Sequence, residues 1–290
     1  MKTPLATADD LALLGALPIA AAIIGREEDK ALKVLAHNSR FEEAIARSTC
    51  MATDWNEAEC LKGGAIAELF EDYFTDPLSA GELEIREGEG VAARYMRIKL
   101  APLPKGESAM QRCLMSDVDR TVEVQAERTL RAEMLRDSLT GLPNRLAFTE
   151  EVERAGDKAA KAREHAVLVV DVLRFSRINE SMGSLAGDEL LITLARRLMS
   201  ALRGGEVLAR TGGNEFGILV SLRRGIEDAL TAAERIKEVM SAPFQISDLD
   251  IQVECAIGVA LMQGGQEAEE LFRNAQFAVK QAKHSGKPQI

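Results

Sequence analysis

From Ala166 onward, apolar runs of two different periods follow one another in a fixed order, and that order is what most limits the fold. Ala166–Val172 is a continuous buried run, which suits a strand. Gly187–Leu202 places Leu190, Leu191, Leu194, Leu198 and Leu202 on one helical face. Val207–Thr211 and Glu215–Ser221 are strand-like and meet across Gly212-Gly213, where a positive φ costs glycine little. A helix over Ile226–Met240, a strand over Ile251–Leu261 and a helix over Glu267–His284 complete the set. The order is β-α-β-β-α-β, a split βαβ sheet whose first and third strands are neighbours. A further helix, Asn144–Lys161, precedes it.

The preceding half has another character. Strands are expected at Ile19–Ile24, Lys30–Ala36, Gly81–Glu87, Ala92–Pro102 and Ser108–Val118, with helical stretches at Phe41–Ala46 and Cys60–Phe70. The chain therefore reads as α+β throughout: a unit over 1–118, a helical linker over 119–136 and a second unit over 137–290. In the linker Val122, Ala126, Leu130 and Met134 recur every four residues among charged neighbours. Such a stripe either packs on a domain or forms a parallel coiled coil with a second copy.

Composition removes several functions. A net charge of -10 argues against a nucleic-acid binder, which would carry a basic face. Cys50, Cys60, Cys113 and Cys255 are far apart, and His37, His165 and His284 form no cluster, so neither zinc nor disulfides are expected. The apolar stretch 11–24 is short, holds Pro18 and follows Asp9-Asp10, unlike a membrane span or a leader. A cytoplasmic protein, without membrane or nucleic-acid partners, is the expectation.

Asp171 closes an apolar strand, an expensive place for a charge, and Glu215 lies beside the Gly-Gly turn. On adjacent strands these two carboxylates would repel unless a cation bridged them, as Mg²⁺ with a nucleotide would. The alternative is that each caps a loop or pairs with an arginine such as Arg210.

Three long motifs carry a resemblance. They are Asp137-Ser-Leu-Thr-Gly-Leu-Pro-Asn144-Arg145, the run from Asp171 through Phe175, Asn179 and Gly183 to Asp188, and Arg210-Thr-Gly-Gly-Asn-Glu-Phe216. In order and spacing they resemble the GGDEF family of diguanylate cyclases over about 136–288. The first unit more weakly resembles a PAS sensor domain, through its strand order and through Asp117-Val118-Asp119 leading into a helix. The family resemblance implies that two such domains each bind GTP with Mg²⁺ and face one another. The 3′-hydroxyl of each GTP attacks the α-phosphate of the other and expels pyrophosphate, giving cyclic di-GMP and two pyrophosphates. Dimer geometry is then the control point.

The same resemblance implies roles for residues. Asn179 and Asp188 match the guanine-reading pair, and Asp171 and Glu215 the metal-holding acids, with Glu215 the second acid of the motif. Phe175 and Ser176 match a loop whose N–H groups hold phosphate. Gly212 and Gly213 match the turn that lets the nucleotide approach, and Lys283 and Lys287 match phosphate-contacting basic positions. Arg203-Gly-Gly-Glu206 lies where the family's inhibitory Arg-x-x-Asp site for cyclic di-GMP is found. Departures concentrate on catalysis. Asn214 stands where the family carries a catalytic carboxylate. Leu173, Ser176, Glu180, Ser184 and Lys280 also depart from common residues. The expectation is a dimeric PAS–GGDEF signalling protein, paired through the first unit and the linker helix, that binds GTP with weak or no cyclase activity. It would regulate a phosphodiesterase domain or protein of the EAL type. The alternative is an active cyclase in which Asp171 and Glu215 suffice.

Overall fold

A computed structural model describes residues 6–27, 31–47, 64–76, 81–103, 110–159, 164–262 and 266–284. Cys50, Cys60 and Lys287 lie outside the described residues. The chain divides into two compact units, Met1–Thr129 and Leu130–Ile290.

In the first unit, helix α1 (Ala8–Ala16) is opened by a capping box in which Thr7 and Asp10 satisfy each other's backbone N–H groups. Strands β1 (Ala20–Arg26), β2 (Leu32–His37), β3 (Glu82–Glu87), β4 (Arg94–Pro102) and β5 (Gln111–Asp119) form an antiparallel sheet ordered β2-β1-β5-β4-β3. Helices α2 (Ser39–Arg47) and α3 (Gly64–Thr75) lie between β2 and β3 in sequence. Strand β1 is paired on both edges and covered on both faces, so its apolar run is buried throughout. Ala20, Ala22 and Ile24 join a core with Phe41, Ile45 and Phe70, whereas Ala21 and Ile23 pack with Leu14 of α1. Burying a phenylalanine such as Phe41 or Phe70 contributes about 1.5–3 kcal/mol. Asn38 ties the layers together. Its Oδ1 accepts from the N–H groups of Ala21 and Phe41, and its Nδ2 donates to the carbonyls of Leu14 and Ile19.

Helix α4 (Thr121–Met134) begins on the first unit. Asp119 Oδ1 accepts from the Thr121 N–H, Thr121 Oγ1 accepts from the Tyr95 N–H, and Arg128 lies over the Tyr95 ring. The helix buries none of its residues. Val122, Leu130 and Met134 are 80%, 60% and 70% exposed, so the four-residue stripe is open to solvent.

The second unit contains α5 (Arg145–Ala159), β6 (Glu164–Val172), α6 (Phe175–Met182), α7 (Ser184–Ala201), β7 (Val207–Gly212), β8 (Glu215–Leu222), α8 (Ile226–Ser241), β9 (Phe244–Ile246), β10 (Leu249–Ile251), β11 (Cys255–Leu261) and α9 (Ala268–His284). Its main sheet is antiparallel, ordered β11-β6-β8-β7, and the first and third strands of the expected pattern, β6 and β8, are indeed neighbours. Side chains alternate along β6. Ala166, Leu168, Val170 and Val172 enter the core made with α7 and α8, whereas Val167 and Val169 enter the core made with α5 and α9. Parity therefore carries Asp171 to the α9 face. At Gly258 of β11 an added Cβ would meet the backbone of α9, 2.6 Å from Val279 N, so only glycine allows that helix to lie so close.

Two local expectations are corrected. The strand expected over Ile251–Leu261 is two strands. Leu249–Ile251 instead pairs with Phe244–Ile246 across a two-residue turn, in which Ser247 and Asp248 take φ of 48° and 65°. Positive φ at both residues matches the twist of a tight hairpin. Phe175 and Ser176, expected in a loop, are the first two residues of α6, entered through Arg174 at φ 55°.

Candidate functional site

The site is assembled at the ends of β6 and β8. Their register pairs Asp171 directly with Glu215, the juxtaposition expected from strand order. The turn between β7 and β8 supplies Asn214, with Gly213 at φ 41° making the reversal. Arg210 holds this turn in place. Its Nε and Nη2 donate to the Gly213 carbonyl at 3.0 and 2.7 Å, and its Nη1 donates to both Asp137 oxygens at 3.0 and 3.1 Å. Burial opposes ionisation of Asp137, but hydrogen bonds from Thr140 and the Arg210 guanidinium outweigh it and keep the carboxyl below its usual range. Arg210 thus pairs with Asp137 and braces the hairpin. Neither Asp171 nor Glu215 takes it as a partner, so that alternative is excluded for this arginine.

Asn214 is fastened from two sides. Its carbonyl accepts from the Val172 N–H at 3.2 Å. Its side-chain Nδ2 donates to the Val172 carbonyl at 2.7 Å and to Asp171 Oδ1 at 3.0 Å. Helix α9 packs on this face and presents Gln276 and Lys283, seven residues and about two turns apart. Lys283 Nζ lies 2.8 Å from the same Asp171 Oδ1. Gln276 Nε2 donates to both oxygens of Glu215 at 3.0 Å, and Thr211 Oγ1 donates to Glu215 Oε1 at 2.8 Å. Sequence reasoning named Lys283 but missed Gln276 and Thr211. The seven-residue spacing from Lys283 was the available clue to Gln276.

These side chains do not fit a magnesium ion as they stand. Among the described residues no three acidic, histidine or cysteine side chains converge on one point. The place between Asp171 Oδ1 and the Val172 carbonyl, where a hard cation would sit about 2.1 Å from each oxygen, is taken by the two protons of an amide. Close by, burial pushes the Cys255 thiol up to about 11, with Lys237 lowering it and Asp171 raising it, so it stays protonated at neutral pH.

The two residues expected to read guanine lie on α6 and α7, which pack together. Asn179 lies on α6, with Oδ1 buried and without a hydrogen-bond partner. Gly187 of α7 packs against it. A Cβ there would collide with Asn179 Oδ1 and lie 3.1 Å from the Phe175 ring. Asp188 follows Gly187 and is exposed.

Arg203 and Glu206 line a separate cleft of about 490 Å³ with Arg223, Arg224 and Arg235. Both Glu206 oxygens accept from Arg235 Nη2 at 2.8 Å, and Oε2 also accepts from the Arg203 N–H at 2.8 Å. The longer glutamate therefore folds back onto its own loop and a neighbouring helix. Arg235 was not expected from the sequence. It lies 29 positions from Glu206, on α8.

Comparison with known proteins agrees with this architecture. Residues 134–289 match the family model described as "Diguanylate cyclase, GGDEF domain". The chain is 38% identical over 165 residues to the bifunctional diguanylate cyclase/cyclic di-GMP phosphodiesterase MucR of Pseudomonas aeruginosa, covering 56% of this chain and 24% of that protein. It is 32% identical over 200 residues to the diguanylate cyclase DgcM of Escherichia coli K12, covering 69% of this chain and 48% of that protein. The chain thus spans half or less of these relatives' lengths. Among solved structures, a sensory box/GGDEF family protein from Caulobacter crescentus superposes with a TM-score of 0.50 at 34% identity, covering 52% of this chain and 99% of that one. With the match spanning more than half its length and the Gly-Gly hairpin and strand order in place, the chain belongs to the GGDEF diguanylate cyclase family.

Proposed function

We propose that this chain is a cyclic di-GMP signalling protein whose GGDEF unit binds GTP and has weak or no cyclase activity, serving as a regulatory module under a PAS-like first unit. The observation that carries this reading is the Asn214 amide, bonded to Asp171 and to the Val172 carbonyl where the family places an acid. GGDEF diguanylate cyclases use GTP with Mg²⁺. Here the guanine-reading half of that chemistry is retained and the metal-holding half is not. Asn179 offers a buried acceptor without a donor, a group that a nucleobase N–H would satisfy, and Asp188 follows the glycine that makes room for it. Lys283 supplies positive charge for a phosphate, and Phe175 and Ser176 supply N–H groups at the start of α6. Loss of one transition-state-stabilising acid worth about 4 kcal/mol lowers turnover about a thousandfold, while binding persists.

The five-stranded antiparallel sheet, and the Asp117-Val118-Asp119 run into α4, support the PAS-like reading. The exposed stripe on α4 supports a homodimer paired through the first unit and that helix. The output goes to a phosphodiesterase of the EAL type, in the same chain or in trans, in the cytoplasm. Cyclic di-GMP is assigned to the cleft at Arg203 and Glu206. Arg203 is exposed at the cleft, where a guanidinium can stack on a base and pair with phosphate, while the Glu206 carboxylate is held by Arg235. The second reading, an active cyclase, draws on the direct pairing of Asp171 with Glu215. Incubating the protein with GTP and Mg²⁺ and quantifying cyclic di-GMP decides between the two. GTP binding with little product is expected, and robust turnover would sink the regulatory reading.

A further inference from the structure

We infer that this chain takes its nucleotide without a divalent cation, the Asn214 amide and the Lys283 ammonium standing in the metal's place. The inference rests on the GTP-binding reading above and specifies how that site handles charge.

The orientation of the Asn214 amide is fixed by chemistry. Both of its neighbours, Asp171 Oδ1 and the Val172 carbonyl, are acceptors, so the group between them must be the donor nitrogen. Its two N–H bonds point to two oxygens, one formally charged, that would otherwise converge on a hard cation. Lys283 then places a full positive charge 2.8 Å from the charged one of the pair. One carboxylate oxygen thus receives an ammonium and an amide. Glu215 is satisfied separately, by Gln276 on both oxygens and by Thr211 on one.

A metal entering this site would have to break both amide hydrogen bonds and displace the Lys283 contact with Asp171. The amide would have to turn, losing both its acceptors, and Lys283 would be left beside a dication. Magnesium is a poor competitor for such a place, because it gives up its water reluctantly and demands near-octahedral oxygen donors. An aspartate at 214 would reverse the balance. It would add a third carboxylate, remove the amide donor and leave the cluster short of positive charge. The neutral amide therefore does more than remove an acid. It completes a hydrogen-bonded network that needs no ion, and leaves Lys283 to share its charge between Asp171 and an incoming phosphate.

The test is calorimetric titration of GTP into the full chain in excess MgCl₂ and, separately, in excess EDTA. The expected result is dissociation constants within about threefold of each other. Binding that weakens more than about tenfold in EDTA overturns the inference and leaves the GTP-binding reading intact. No binding in either buffer overturns both. A second measurement uses Mg²⁺ alone, without nucleotide. It should leave the melting temperature of the wild type unchanged and raise that of Asn214→Asp by about 2 °C or more. Equal stabilisation of the wild type, or indifference of the variant, overturns the assignment to Asn214.

Discussion

Two acidic strand ends, one in each unit, meet the same electrostatic problem and resolve it differently. In the first unit Asp117 near the end of β5 is buried, with Oδ1 lacking a hydrogen-bond partner. Burial and the neighbouring Asp119 and Glu87 push its carboxyl up to about 6, against the pull of Arg94 and Arg47. In the second unit Asp171 and Glu215, paired across adjacent strands, are both held by donors from the chain itself. One cluster is left to hold a proton, and in the other an ammonium offsets Asp171 while amide and hydroxyl donors satisfy the remaining oxygens. The contrast shows that adjacent carboxylates do not by themselves announce a metal, because the surrounding donors decide what compensates the charge.

The largest effect should come from undoing the compensation in the second unit. Asn214→Asp exchanges a donor for an acid beside Asp171, and cyclic di-GMP formed from GTP and Mg²⁺ should rise about a hundredfold or more. Product assays on the purified variant test this. Unchanged turnover would mean that Leu173 or Ser176 limits catalysis instead.

The first unit should respond to pH. Asp117 binds its proton more tightly folded than unfolded, so between the ordinary value near 3.8 and about 6 the folded state carries the extra proton. Stability therefore falls as pH rises through that window, and the loss is complete above it. The difference corresponds to about 3 kcal/mol. Asp117→Asn should remove this slope and stabilise the unit at neutral pH by about 2 kcal/mol. Urea unfolding at pH 4 and pH 7 measures both, and an unchanged slope would place the proton elsewhere.

The smallest effect tests the donors around Glu215. Gln276→Leu keeps the helix and its bulk but leaves Glu215 with Thr211 alone, at a cost of about 1 kcal/mol to the second unit. A variant as stable as the wild type would show that water replaces the amide, and the two strand ends would then differ less than their geometry implies.

Much of this was legible in the sequence, for local reasons. Strand and helix periods gave the β-α-β-β-α-β order, two adjacent glycines marked the hairpin, and strand order put Asp171 beside Glu215. Helix α6 was missed because it follows β6 almost at once, with no side-chain cap and with a left-handed Arg174 as its entry. The strand break before Cys255 was missed because Val253 continues the apolar run although its backbone lies in the connection between β10 and β11.

By itself the sequence determined the family, the architecture of the second unit and the identity of the altered position. Only the tertiary structure decided what the alteration does. The direction of the Asn214 amide depends on Asp171, 43 residues away, and the state of Glu215 depends on Gln276, 61 residues away. Periodicity is written into neighbouring residues, but the compensation of a charge depends on whichever donors the fold brings within about 3 Å.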